Sequence, residues 1–167
     1  MRLAELNDAS RDRAMRALLD CCGSSRWAET VADARPFANL EDVIAASDCA
    51  CSLLGRADWL EAFSAHPRIG AMVSHATTSV AASSSSGWSA DEQAGVAAAT
   101  RAALEERNRE YEERFGHIFI VCATGLTGDE MLAMMERRMV NNRDAELKAA
   151  ATEQRKITRL RLAKLLT

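Results

Sequence analysis

Apolar residues recur at helical spacing along most of this chain, and only two prolines, Pro36 and Pro67, interrupt it. That is the strongest constraint on the fold. Long proline-free stretches with apolar residues at i, i+3, i+4 and i+7 give each helix one face to bury and leave little room for strand alternation. Ser10 heads the first such stretch as an N-cap, Ala14, Met15, Leu18, Leu19 and Cys22 line its apolar face, and Gly23 stops it. A second helix is expected over residues 25–34, ending at Arg35-Pro36-Phe37. A third follows Asn39 as its cap and runs towards Gly55, and a fourth, A-D-W-L-E-A-F, leads into His66.

The second half of the chain is less regular. Residues 74–87 are small and polar, the composition of a mobile loop. A long helix then opens at Ser89, and its charged second half reads as a solvated face. The β-branched and aromatic run 117–123 is expected to be extended or irregular, since periodicity alone does not separate a buried strand from a buried helical turn. Another helix starts at Thr127. The last runs over about 143–165, with Leu147, Ala150, Ala151, Ile157, Leu160 and Leu165 as its apolar positions. With 48% apolar and 27% charged residues and no internal repeat, the 167 residues are enough for one core. The expected fold is all-α, a single domain over 1–167 built as a bundle of about seven to nine helices.

A formal charge of -3 gives no electrostatic reason to expect nucleic acid or an anionic membrane as partner. No apolar stretch approaches the roughly 20 residues that span a bilayer, and the start M-R-L-A-E-L-N-D lacks the apolar core of a signal peptide. A cytoplasmic protein is expected, and the ending K-L-L-T is not a peroxisomal S-K-L. The five cysteines form no C-x-x-C pair, which favours reduced, mostly buried thiols, with the adjacent Cys21 and Cys22 open to air oxidation. No two of the three histidines stand at i, i+4, so no metal site is expected. Phosphate-loop, nucleophile-elbow and dinucleotide motifs are absent as well.

His66 stands directly before Pro67, which biases it to extended geometry and puts the imidazole at a helix end rather than on a helical face. It is either a turn residue or a group that moves a proton, and Arg68 beside it suits a carboxylate, internal or a ligand's. Ser89-Ala90-Asp91-Glu92 and Thr127-Gly128-Asp129-Glu130 both fit the capping box S/T-x-x-E, and capping is the favoured reading for each. Glu92 differs in its setting, with a serine-rich loop before it and Gln93 after it. His75 falls in the loop, and His117 adjoins an apolar run as a core histidine. The basic stretch Arg155, Lys156, Arg159, Arg161 and Lys164 reads as a solvated face from which one arginine can turn inward to hold a carboxylate. Composition and spacing thus reach a helical domain with a histidine and glutamate pair, and name no substrate.

Seven pieces, in order, carry a resemblance: L-N-D-A-S, C-C-G-S-S-R-W-A, R-P-F, A-H-P-R-I-G, W-S-A-D-E-Q-A-G, F-G-H-I-F-I-V-C-A-T-G and E-Q-R-K-I-T-R-L-R-L-A-K-L-L. Together they cover nearly the whole chain, and it resembles the decarboxylases of 2-oxo-4-hydroxy-4-carboxy-5-ureidoimidazoline, the OHCU decarboxylases of urate breakdown. The departures are the serine-rich insert at 83–86 and the missing peroxisomal tail, both outside the motifs. The resemblance implies an all-α, cofactor-free homodimer with a small-molecule substrate, no metal, and S-allantoin as product. It also implies His66 and Glu92 as the catalytic pair. Around the substrate it implies Pro67, Ser89, Gln93, backbone groups of Phe119, Ile120, Val121, Cys122 and Ala123, and Arg161, with Arg159 as the competing choice. A hydrolase of a related ureido compound and a non-catalytic helical interaction domain remain as alternatives.

Overall fold

The structure, a computed structural model, describes residues 1–69 and 98–167, in which eight helices form and no strand. The all-α expectation holds for these residues. The loop expected at 74–87 and the start of the long helix at Ser89 lie outside them. The described residues group into two compact units, Met1–Ala65 with Ala151–Thr167, and His66–Ala150. Among them no helix is long and apolar enough to cross a membrane.

The first unit begins with α1 (Leu3–Asp8), α2 (Arg11–Cys22), α3 (Ser25–Asp33), α4 (Leu40–Ser52) and α5 (Arg56–Ser64). The caps expected at Ser10 and Asn39 form: their side chains accept from the N–H groups of Arg13 and Asp42. Ser24 does the same for Trp27 at the start of α3, where Glu61 also accepts from the Ser25 N–H at 3.1 Å and its hydroxyl at 2.6 Å. Gly23 ends α2 at φ 81, and a Cβ there would meet the Ala65 Cβ at 2.6 Å, so both conformation and space require glycine. Two of the stretches that carry the resemblance serve as scaffold. Arg35 donates to the carbonyls of Leu6, Ala9 and Ala32, each at 2.7 Å, and Asn7 brackets the backbone of the buried Phe37 through both of its amide atoms.

Two expectations are corrected here. Helix α1 was not expected; it is only six residues long and buries only Leu6, too short a stretch for periodicity to register. Helix α4 stops at Ser52 instead of running towards Gly55, because its last turn tightens, with Leu53 N–H on the Ala50 carbonyl and Leu54 N–H on that of Cys51.

The second unit contains α6 (Ala98–Phe115), α7 (Gly128–Arg138) and the first turns of α8 (Arg143–Leu165). Its core gathers Ile69, Leu104, Tyr111, Phe115, Phe119, Val121, Ala123, Met131 and Met135. Residues 117–123 form neither helix nor strand, as expected. The face of α8 differs from the expected one: Leu160 is exposed, while Glu146, Ala150, Glu153, Gln154, Ile157, Thr158, Arg161 and Leu162 are buried. Ala150 and Ile157 are on the stripe as expected, but five of the eight are polar or charged, so hydrophobicity alone finds only part of it.

Candidate active site

His66 follows the end of α5 on a short segment that is neither helix nor strand, with Pro67 next to it; both are half-buried, and the His66 Nε2 is screened from solvent. Arg68 finds an internal carboxylate, donating to Glu112 through Nε at 2.5 Å and Nη2 at 2.8 Å. Ile69 then enters the core beside Phe119, Val121 and Ala123. The second unit therefore brings the stretch after His66 and the 119–123 stretch to one cluster. The Ile69 carbonyl accepts from the Asn108 Nδ2 at 2.9 Å.

The 119–123 stretch is reached through Gly116, at φ 79, which ends α6, and His117, a buried histidine edge-on to Tyr111. Phe119, Ile120, Val121 and Ala123 are buried, and Cys122 is half-buried. Two carbonyls of this stretch accept bonds inside the fold: Ile120 from Arg138 Nη1 at 2.7 Å, and Ala123 from the Leu126 N–H at 3.0 Å. Arg138 also lies over the Phe119 ring at 4.6 Å and pairs with the fully buried Glu146 at 2.5 Å. That carboxylate accepts further from the Tyr111 hydroxyl and from Asn141 Nδ2 at 2.7 Å. Burial pushes the Tyr111 hydroxyl far up, against the pull of Arg138, so it stays a donor. Neither Asn108 nor the Tyr111, Arg138 and Glu146 cluster was expected. The spacing of Leu104, Asn108, Tyr111 and Phe115 was the available signal, inside a segment otherwise correctly read as solvated.

In the first unit the two competing arginines part ways. Arg161 is 1% exposed, whereas Arg159, with half its side chain exposed, pairs with Asp48, which Arg155 also reaches at 3.3 Å. Arg161 is thus the arginine that turns inward. Its surroundings include Cys21 and Cys22, whose thiols burial pushes up to about 12 despite the pull of the guanidinium. Both being buried, and the thiolate being the reactive form, the expected air oxidation of this pair is not supported.

Ser89, Glu92 and Gln93 lie outside the described residues. The other capping box does form: Thr127 Oγ1 accepts from the Glu130 N–H at 3.2 Å, and the Glu130 carboxylate accepts from the Thr127 N–H at 2.7 Å. The bond from the Thr127 N–H, and then one from its hydroxyl at 2.9 Å, hold the Glu130 carboxyl below the usual range. A surface groove lined by Ala103, Glu106, Arg107, Glu110, Leu132 and Glu136 contains no predicted site residue, and its three carboxylates oppose an anionic substrate.

A sequence model of the OHCU decarboxylase family matches residues 7–163. The chain belongs to the OHCU decarboxylase family. Among relatives of this family, the uric acid degradation bifunctional protein TTL of Arabidopsis thaliana is 41% identical over 145 residues; these are 87% of this chain and 45% of the relative, so the chain spans less than half of that protein. The 2-oxo-4-hydroxy-4-carboxy-5-ureidoimidazoline decarboxylase of Haloferax volcanii is 27% identical over 162 residues, covering 96% of this chain and 94% of the relative. A crystal structure of OHCU decarboxylase in the presence of (S)-allantoin superposes with a TM-score of 0.73 at 37% identity, over 90% of this chain and 97% of the other.

Proposed function

We propose that this chain is a carboxy-lyase that converts 2-oxo-4-hydroxy-4-carboxy-5-ureidoimidazoline to S-allantoin without a cofactor. The observation that carries the reading is the family match over residues 7–163, joined by a solved OHCU decarboxylase whose likeness spans 97% of that chain. The substrate's chemistry suits a small site. The ring carbon that loses CO2 bears a hydroxyl and adjoins a C=N bond, so the electron pair left behind moves into that bond and needs no external sink.

In this reading Glu92 takes or holds the hydroxyl proton as the ring carbonyl forms, and His66 manages the proton delivered to the neighbouring carbon. Delivery to one face makes the product optically active. Arg161 binds polar ring atoms or the ureido group, a role its burial supports over the surface-paired Arg159. Ser89, Gln93, Pro67 and backbone groups of 119–123 complete the set. The same reading has the chain acting as a homodimer in the cytoplasm.

The test is circular dichroism of allantoin formed from oxidised, hydrolysed urate with and without the protein. Accelerated formation of S-allantoin is expected, and a slow racemate from folded protein returns a binding domain to first place. Product analysis separates a ureido hydrolase, since only decarboxylation leaves S-allantoin, with its ureido group intact, as the organic product. Within the assay, His66→Ala and Glu92→Gln are each expected to lower turnover about 10²–10⁴-fold, the range for positioned acid-base groups. Arg161→Ala should lose activity and Arg159→Ala keep it. A fully active Glu92→Gln with a lowered melting temperature would make Glu92 a cap instead.

A further inference from the structure

Leu104, Asn108, Tyr111 and Phe115 stand four, three and four residues apart and form the buried seam of α6. Three of them are large apolar or aromatic groups. The fourth, Asn108, is fully buried, a poorer helix former than leucine, and its Oδ1 accepts from nothing among the described residues. A leucine at 108 would continue the seam with no polar atom to satisfy. A residue unfavourable on both counts needs another reason to be there, and the one bond it donates supplies it. Its Nδ2 holds the carbonyl of Ile69, three residues past His66, in a segment with no helix or strand of its own to satisfy that oxygen.

One turn further along α6, Glu112 takes the Arg68 guanidinium on both oxygens. Residues 68 and 69 are therefore fastened to the same helix at positions one turn apart, and Pro67 fixes its own φ just before them. The imidazole of His66 sits at the end of this short, stiff arm. We propose that Asn108, seconded by Glu112, is a positioning residue for His66, acting through the Ile69 carbonyl and not by touching substrate.

The inference rests on His66 being the proton-handling group, so the experiment separates the two. Steady-state kinetics and melting temperatures are measured for the full chain and for Asn108→Leu, Asn108→Asp, Glu112→Gln, His66→Ala and the Asn108→Leu/His66→Ala double variant. A misplaced reacting group loses about 10²-fold at the upper end. For both Asn108 variants kcat should fall by about 10-fold or more, with KM moving less than about threefold. Asn108→Leu should melt close to the parent, because removing the unpaired Oδ1 and adding apolar contact offset the Ile69 carbonyl it leaves unsatisfied, and Glu112→Gln, on the solvent side of the arm, should cost about threefold in kcat.

In the His66→Ala background the Asn108 substitution should cost nothing further, because its effect passes through the imidazole. If His66→Ala is crippled while a folded Asn108→Leu or Asn108→Asp turns over like the parent, the positioning role is overturned and the reading of His66 survives. An equal loss in the His66→Ala background would mark a general packing effect and overturn it too. If His66→Ala itself retains full activity, the functional reading of His66 fails and takes the positioning role with it. Asn108→Asp keeps the shape of the side chain if leucine does not fit. Should neither Asn108 variant fold, a fully active Glu112→Gln overturns the proposed arm.

Discussion

Two irregular segments of the second unit are fastened by opposite means. The 119–123 stretch is held by a closed buried network: Arg138 grips the Ile120 carbonyl and the Phe119 ring, and is itself neutralised by Glu146, which also accepts from Tyr111 and Asn141. The segment after His66 is held by one buried amide bond and one partly exposed ion pair. The first arrangement fails at its centre, since removing Arg138 or Glu146 leaves the other's charge stranded away from water. The second gives way locally. Damage to the first should therefore appear as lost stability, and damage to the second as lost turnover.

The largest expected effect tests the first half of that contrast. Glu146→Ala leaves Arg138 buried beside a hole where its carboxylate was, and breaking one side of a buried pair costs about 3–5 kcal/mol. Urea unfolding should show the loss as a fall in midpoint with little change in slope. A loss below about 1 kcal/mol, as for a surface pair, would mean that the two segments are not held differently after all. Asn108→Leu, with kcat reduced and melting temperature close to the parent's, is the matching test of the other half.

Why one half was legible in the sequence and the other was not follows from the range of the forces involved. Ser10, Asn39 and Thr127 act within their own first turn, so the residues that make those caps stand side by side in the chain and could be read directly. Glu146 and Tyr111 are 35 positions apart, and nothing in the local pattern of either points to the other. The last helix shows the same limit. Apolar spacing picks out Ala150 and Ile157 on its buried stripe but not Glu146, Glu153, Gln154, Thr158 and Arg161 beside them, and it includes Leu160, which faces solvent. His66 was legible because Pro67 restricts it locally, and Arg161 only through a resemblance that left Arg159 standing beside it; burial separates the two.

The smallest effect belongs to an ion pair with no segment to hold. Asp48 joins α4 to Arg155 and Arg159 on α8 in the first unit, with side chains between a quarter and a half exposed. Partial burial alone would raise the Asp48 carboxyl, but the bonds from Arg159 and then Arg155 outweigh it and hold the group below its ordinary 3.8. A carboxyl depressed on folding contributes stability that is fully present above the unfolded value and is lost as pH falls through the folded one. Asp48→Asn should therefore cost about 0.5–1 kcal/mol near neutral pH, the range of exposed pairs, and less in added salt. Denaturation midpoints of parent and variant should converge as pH falls below 3.8. Curves that stay equally far apart down to the acid limit would locate the loss in packing of the Asp48 side chain rather than in its charge.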